Sequence, residues 1–323
     1  MSWGKYSVWE RMHMAQMTKR ERCMAAVNCQ PVDRVPVGFW YHFRLDYPSA
    51  APLAEAELAF AKKYDPDFLK VMHDLILDLP DGMTEIKDPN DWWKIKPLNP
   101  REGNFAEQIK ALKLIKQGLP KDMPIIDTVF NPYATANKLC GKKLLEHLHA
   151  NYHAVKHALE AISVSLADYA TAWIEEGGDG VYYALDGCQT TTMSADEYRE
   201  VFMPFDRMVL NAAMVRGIFN MLHLHGENIM FDMLHDLPND VLVWSDRLTP
   251  PSLSQARGIH QGCIAGGINE MTFHEMTPPD VIAPAQRAIA EAGSTGFILT
   301  PGCAISTDSP EDNILALRQS VGV

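Results

Sequence analysis

Eight short apolar runs, separated by amphipathic helical stretches, constrain this 323-residue chain more than any other feature of its sequence. The runs are Val35–Tyr41, Phe68–Met72, Pro124–Phe130, Gly180–Leu185, Asn220–His225, Asp240–Ser245, Gly262–Ile268 and Gly296–Pro301. Most are continuously apolar, as expected of strands buried on both faces of a parallel sheet. Between them, Leu53–Tyr64, Phe105–Gln117, Leu144–Glu175, Ala195–Arg216 and Pro279–Ala292 carry helical periodicity, and Thr18 with Glu21 forms a capping box that opens an N-terminal helix to about Asn28. Eight strands alternating with helices predict an α/β protein, a (β/α)8 TIM barrel in one domain over residues 1–323. Residues 1–34 are expected to form an N-terminal helical arm. Residues 75–104, rich in Pro and lacking periodicity, form an insertion after strand two, expected over the barrel mouth. An open doubly wound sheet is the competing architecture, but no GxGxxG follows the first strand.

In such a barrel catalytic groups project from the carboxyl ends of strands, so each end was read for chemistry. Tyr41 and His42 follow strand one, His73 strand two, Asn131 and Tyr133 strand three, Asp186 strand four, Glu227 strand five, Asp246 strand six and Asn269 strand seven. The sharpest signal is His223-Leu-His225 at the end of strand five, because residues two apart on a strand face one way. Cys303, closing strand eight, reaches the same point only if the strand ends converge on one axis. Two imidazoles and a thiolate with an open fourth position are the pattern of a catalytic zinc site. The competing reading of His-x-His is a chance pair with one histidine satisfied in the core.

Three further residue sets have simpler readings. His149, His153 and His157 repeat at helical spacing but sit among charged residues, as a solvated face does. Asp246 is a candidate for substrate binding or for an ion pair with Arg247 or Arg34. Cys188 and Cys263 read as small buried hydrophobes.

Composition narrows the function classes. A net charge of −12 lacks the basic footprint that nucleic acid requires. No window is apolar for long enough to span a membrane, and the opening Met-Ser-Trp-Gly-Lys lacks the features of a signal peptide. The six cysteines are scattered without a CxxC pair, as reduced thiols in the cytoplasm are. A small-molecule substrate is the expected partner.

Over residues 18–320 the chain resembles the uroporphyrinogen decarboxylase-like superfamily. The segments that carry the resemblance are Thr18–Asn28, Pro31–Val37, Asp67–Met72, Asp186 with Met193–Phe205, Gln261–Asn269, Thr300–Cys303 and Ser309–Ile314. True decarboxylases of that superfamily hold substrate carboxylates with an arginine-rich N-terminal segment, whereas Gly38–Arg44 has a single arginine. The chain more closely resembles the zinc-dependent methyltransferase branch, matching its ligand pattern at His223 and Cys303 but carrying His225 where that branch has cysteine. The resemblance implies zinc, a methyl donor such as a methylated small molecule or methyl-corrinoid protein, an acceptor activated at the metal, and a homodimer. No Asp-x-His-x-x-Gly corrinoid segment is present, so a cobamide would arrive on a separate protein. One thiolate in place of two leaves the protein-bound metal with a formal charge of about +1, a stronger Lewis acid. Asp186 or Glu227 is expected to complete the coordination or act as a base. A zinc-dependent lyase, hydrolase or decarboxylase on the same barrel remains the alternative, and a non-catalytic binder the third.

Overall fold

A computed structural model describes residues 16–80 and 82–322; the Met-rich opening of the expected arm lies largely outside them. The architecture is α/β, built on one seven-stranded parallel sheet whose strands neighbour one another in chain order. These strands are β1 (Leu69–Val71), β2 (Ile125–Phe130), β3 (Gly180–Leu185), β4 (Met221–Leu224), β5 (Val241–Trp244), β6 (Cys263–Ile268) and β7 (Phe297–Pro301). Each corresponds to one of the apolar runs, from the second to the eighth.

Alternation along the strands feeds two separate apolar layers. Val181, Tyr183, Leu185, Leu222, Leu224, Leu242 and Trp244 face the helices, while Tyr182, Ala184, Met221, Val241 and Val243 form a second cluster with Trp40, Phe68 and Ile298. Both faces are therefore dry, which is why these runs lack polar alternation. Cys263 packs in the second cluster as a small hydrophobe, and all six cysteines are free thiols.

The first apolar run forms no extended ladder. Its contribution is a single parallel bridge between Val37 and Leu299 of β7, flanked by Gly38 N to Leu299 O at 3.0 Å and Leu299 N to Pro36 O at 2.9 Å. Pro36 has no N–H to extend that ladder. On its other side the Val37 carbonyl accepts from Asp67 N, just ahead of β1, at 2.9 Å. The Asp67 carboxylate is fully buried, where it accepts from Val37 N, Arg22 and both terminal nitrogens of Arg34.

The start of the N-terminal helix was legible from its side-chain cap. The N-terminal helix α1 (Lys19–Val27) begins at the Thr18–Glu21 capping box, and α2 is Ala50–Tyr64. After α3 (Gly103–Gly118) and α4 (Pro132–Leu139), the expected long helix 144–175 is two: α5 (Leu144–Ala150) and α6 (Tyr152–Glu175). Asn151 leaves helical geometry and accepts from Ala154 N as the N-cap of α6. The break places His149 and His157 on different helices; His149 pairs with Glu197 and His157 with the Ile95 carbonyl.

The helical run from Ala195 widens into a π turn at Tyr198–Phe202 before α7 (Met203–Met214). Pro204 cannot donate to the carbonyl four residues back, so the normal ladder is interrupted there. A short α8 (Phe231–Leu234), α9 (Leu253–Ile259), α10 (Pro278–Ala292) and α11 (Glu311–Gln319) complete the chain.

Of residues 75–104, the 3-10 turn Pro89–Lys94 is anchored by buried Trp92, whose indole N–H donates to His147 Nδ1 at 3.1 Å. Leu98 N reaches Ser165 Oγ on α6 at 2.9 Å. No helix among the described residues is long and apolar enough to cross a membrane.

Candidate metal centre and cavity

His223, His225 and Cys303 meet at the wall of a cavity of about 550 Å³ at the carboxyl ends of the strands. His223 is the third residue of β4, on the face that β4 shares with Met221, and is 1% exposed. His225 continues past the strand end through its N–H to Leu185 O at 3.0 Å. The chain then turns at Gly226, whose φ of +91° and closeness to Gln189 exclude a side chain. Cys303 follows β7 through Gly302, where a Cβ would fall 2.5 Å from Ser245 Cα. That close approach carries the thiol toward the histidines.

His223 Nε2 lies 3.4 Å from His225 Nδ1, and Cys303 Sγ lies 3.8 Å from the same Nδ1. All three ligand atoms fall within 4.8 Å of one another. A tetrahedral zinc with ordinary Zn–N and Zn–S bonds requires about 3.3 Å between nitrogens and about 3.6 Å between nitrogen and sulfur. The set fits such an ion. Burial raises the Cys303 pKa, but the neighbouring His223 and His225 outweigh it and hold the thiol well below its ordinary range. The hydrogen bond to the Cys303 sulfur raises the His225 pKa against burial. A lowered thiol pKa favours the thiolate, the form that ligates metal.

Two groups beside the site were not among the expected site residues. Lys70 on β1 is 4% exposed and borders the cavity, its Nζ lying 4.8 Å from the Tyr182 ring centroid and 5.7 Å from that of Trp40. It donates to Met72 Sδ at 2.8 Å and has no carboxylate partner within ion-pair distance among the described residues. Burial lowers its pKa to about 8. The signal was present: Phe68, Lys70 and Met72 share one face of a strand, and Phe68 and Met72 both belong to the inner cluster.

Glu270, after β6, is the second such group. It is buried, accepts from Ser245 Oγ through one oxygen and leaves Oε2 unpartnered. Burial raises its pKa, and its charge acts on both Cys303 and His223. Sequence reasoning chose its neighbour Asn269 instead. Consecutive positive-φ glycines, Gly266 and Gly267, disrupt the alternation by which the inward residue would be counted.

Among the other expected site residues, His42 and Asp186 border the cavity. His42 Nδ1 meets Asp74 Oδ1 at 2.7 Å. Asp186 Oδ1 accepts from Gly187 N and Gln189 Nε2 at 2.7 and 3.1 Å. The remaining expected residues do not line it. Tyr41 packs edge-on against Phe60, and His73 is buried against the Thr128 carbonyl, facing a separate small depression. Asn131 caps α4 and donates to Asp206, while Tyr133 packs on Phe202. Glu227 is exposed beyond the strand end. Asp246 pairs with Arg247 at 2.9 Å and accepts from Gly267 N at 2.7 Å, away from the cavity wall. Asn269 borders a different depression, with Arg247. Among the described residues of 75–104, only Ile76 lines the cavity.

Known proteins resemble the chain over nearly its whole length. A methylcobamide:CoM methyltransferase MtbA from Methanosarcina mazei is 22% identical, covering 93% of this chain and 96% of its own. A uroporphyrinogen decarboxylase from Chloroflexus aggregans is 25% identical over 98% of this chain and 86% of its own. A solved methyltransferase structure from Methanosarcina mazei shares the fold with a TM-score of 0.80 at 18% identity, covering 94% of this chain and 98% of that one. The family model described as uroporphyrinogen decarboxylase (URO-D) matches residues 50–322, and the chain belongs to that family.

Proposed function

We propose that the protein is a zinc-dependent methyltransferase that moves a methyl group between a methylated small molecule or a methyl-corrinoid protein and an acceptor activated at zinc. The observation that carries this reading is the convergence of His223, His225 and Cys303 on one point of the cavity wall at spacings suited to tetrahedral zinc. The resemblance to proteins named methylcobamide:CoM methyltransferases supports the choice of reaction. In architecture we favour a closed (β/α)8 barrel, because Val37 pairs with β7 and accepts from the residue that leads into β1.

Zinc held by His223 Nε2, His225 Nδ1 and Cys303 Sγ would supply a Lewis acid that lowers the pKa of the acceptor. The chain's own residues do the rest. Trp40, Met72 and Phe130 give the cavity an apolar wall that excludes water around the reacting groups. Lys70, Lys138 and Lys142 border the same cavity and suit a substrate with an anionic group. The stacking of His223 on Tyr182, at 5.2 Å between ring centroids, fixes the imidazole plane. Asp186 stands at the cavity edge as the carboxylate available to take or hold an acceptor proton.

The single thiolate also fits zinc-assisted lyase, hydrolase or decarboxylase chemistry, since it makes a more electrophilic ion than two would. One assay separates these readings: loss of methylcobalamin in the presence of a thiol panel, followed by absorbance. The zinc-loaded protein is expected to demethylate methylcobalamin, with at least a hundredfold loss in Cys303→Ala and after chelation. Zinc-loaded protein that leaves methylcobalamin intact with every thiol contradicts methyl transfer to thiols.

A further inference from the structure

We propose that His235, Asp236 and His260 form a second divalent-metal site, at the end of the sheet opposite the cavity. His235 ends α8 ahead of β5, and His260 ends α9 ahead of β6, so both stand at the amino ends of strands. The cavity residues His225 and Cys303 follow β4 and β7 at the carboxyl ends. No reading of the first site bears on the second.

One ligand atom from each of the three residues lies within 4.8 Å of the other two. His235 Nδ1 and Asp236 Oδ1 are 3.1 Å apart. The histidines are each only 9% exposed, and among the described residues His235 Nδ1 and His260 Nε2 have no hydrogen-bond partner. Leaving His260 Nε2 buried and unsatisfied costs on the order of 1–3 kcal/mol, a cost that a cation shared with His235 and Asp236 removes. The His260 ring packs edge-on against His235, with ring centroids 6.0 Å apart. Phe231 stacks on His235 at 16° and fixes the other ring.

Two features give an ion room and access. Gly262 stands beside His260, and a Cβ there would lie 2.7 Å from Nε2. The Asp236 side chain is 83% exposed, so an ion can enter from solvent and keep water as its remaining ligands. Two imidazoles and one carboxylate suit borderline divalent cations such as zinc. An ion here would tie the α8–β5 connection to the α9–β6 connection.

Metal content after zinc loading and gel filtration tests the site, using Asp236→Asn, His260→Gln and Cys303→Ala. The parent is expected to hold one more zinc per chain than His260→Gln. Asp236→Asn, a surface change that leaves packing intact, is expected to weaken that ion at least tenfold. Cys303→Ala should keep it, and cobalt(II) in Cys303→Ala should show no thiolate charge-transfer band. Zinc contents of Asp236→Asn and His260→Gln equal to the parent's, with unchanged affinity, overturn the proposal. A parent that binds one zinc, insensitive to Cys303→Ala but lost in His260→Gln, sustains this site while contradicting the cavity site.

Discussion

Lys70 carries the clearest conflict between stability and use. Burial holds its ammonium among the aromatic rings of Trp40 and Tyr182, and the pKa falls from 10.5 to about 8. Between those two values the unfolded chain binds more protons than the folded one, so this group's contribution to stability rises with pH across the window. At pH 7 the charged folded form bears its full burial cost. Lys70→Met is therefore expected to raise stability at pH 7 by about 2 kcal/mol, a gain that shrinks as pH rises from 8 toward 10.5. The same variant should raise KM for an anionic substrate. Denaturant midpoints at pH 7 and pH 10, with steady-state kinetics at pH 7, check both parts; unchanged midpoints at both pH values would remove the argument. Lys70 was hidden in the sequence because a continuous apolar run draws attention from its one charge. His223, His225 and Cys303 stood out because their residue types are chemically distinctive and their strand-end positions followed from the fold. Glu270 was not separable from Asn269, since Gly266 and Gly267 alter the backbone that sets which of them faces inward.

Among the elements, the first apolar run depends least on a ladder and most on side chains. Asp67 receives Arg22, Arg34 and the Val37 N–H, joining α1, the first run and the approach to β1 in one buried network. Removing the carboxylate charge leaves Arg34 without its buried partner while Arg22 keeps Asp33, and breaking a buried pair in this way typically costs about 3–5 kcal/mol. Asp67→Asn is expected to destabilise the protein by that order, read as a lowered denaturant midpoint. Proteolysis within residues 18–40 should accelerate in the same variant. A loss below about 1 kcal/mol would show that the Val37–Leu299 bridge needs no such support. Two helix starts were readable from the side chain that caps them, at Thr18 and Ser194. The division at Asn151 and the π turn ahead of Pro204 were not, because both sit inside uninterrupted helical periodicity and depend on the local backbone.

At the scale of the molecule, a parallel sheet buried on both faces delivers its chemistry to the two rims of the strands. The carboxyl rim gathers His223, His225 and Cys303 from β4 and the turn after β7, residues far apart in sequence. The order of strands and helices was legible because burial on both faces leaves a strong apolar signature. The cavity walls were less so, because which side chain lines them depends on strand curvature and on glycine turns such as Gly226 and Gly302. The most direct test of the account is zinc K-edge absorption on protein loaded with one equivalent in the His260→Gln background. It predicts one sulfur at about 2.3 Å and nitrogen or oxygen neighbours at about 2.0 Å, with the sulfur lost in Cys303→Ala. A shell without sulfur, or one unchanged by Cys303→Ala, would contradict it.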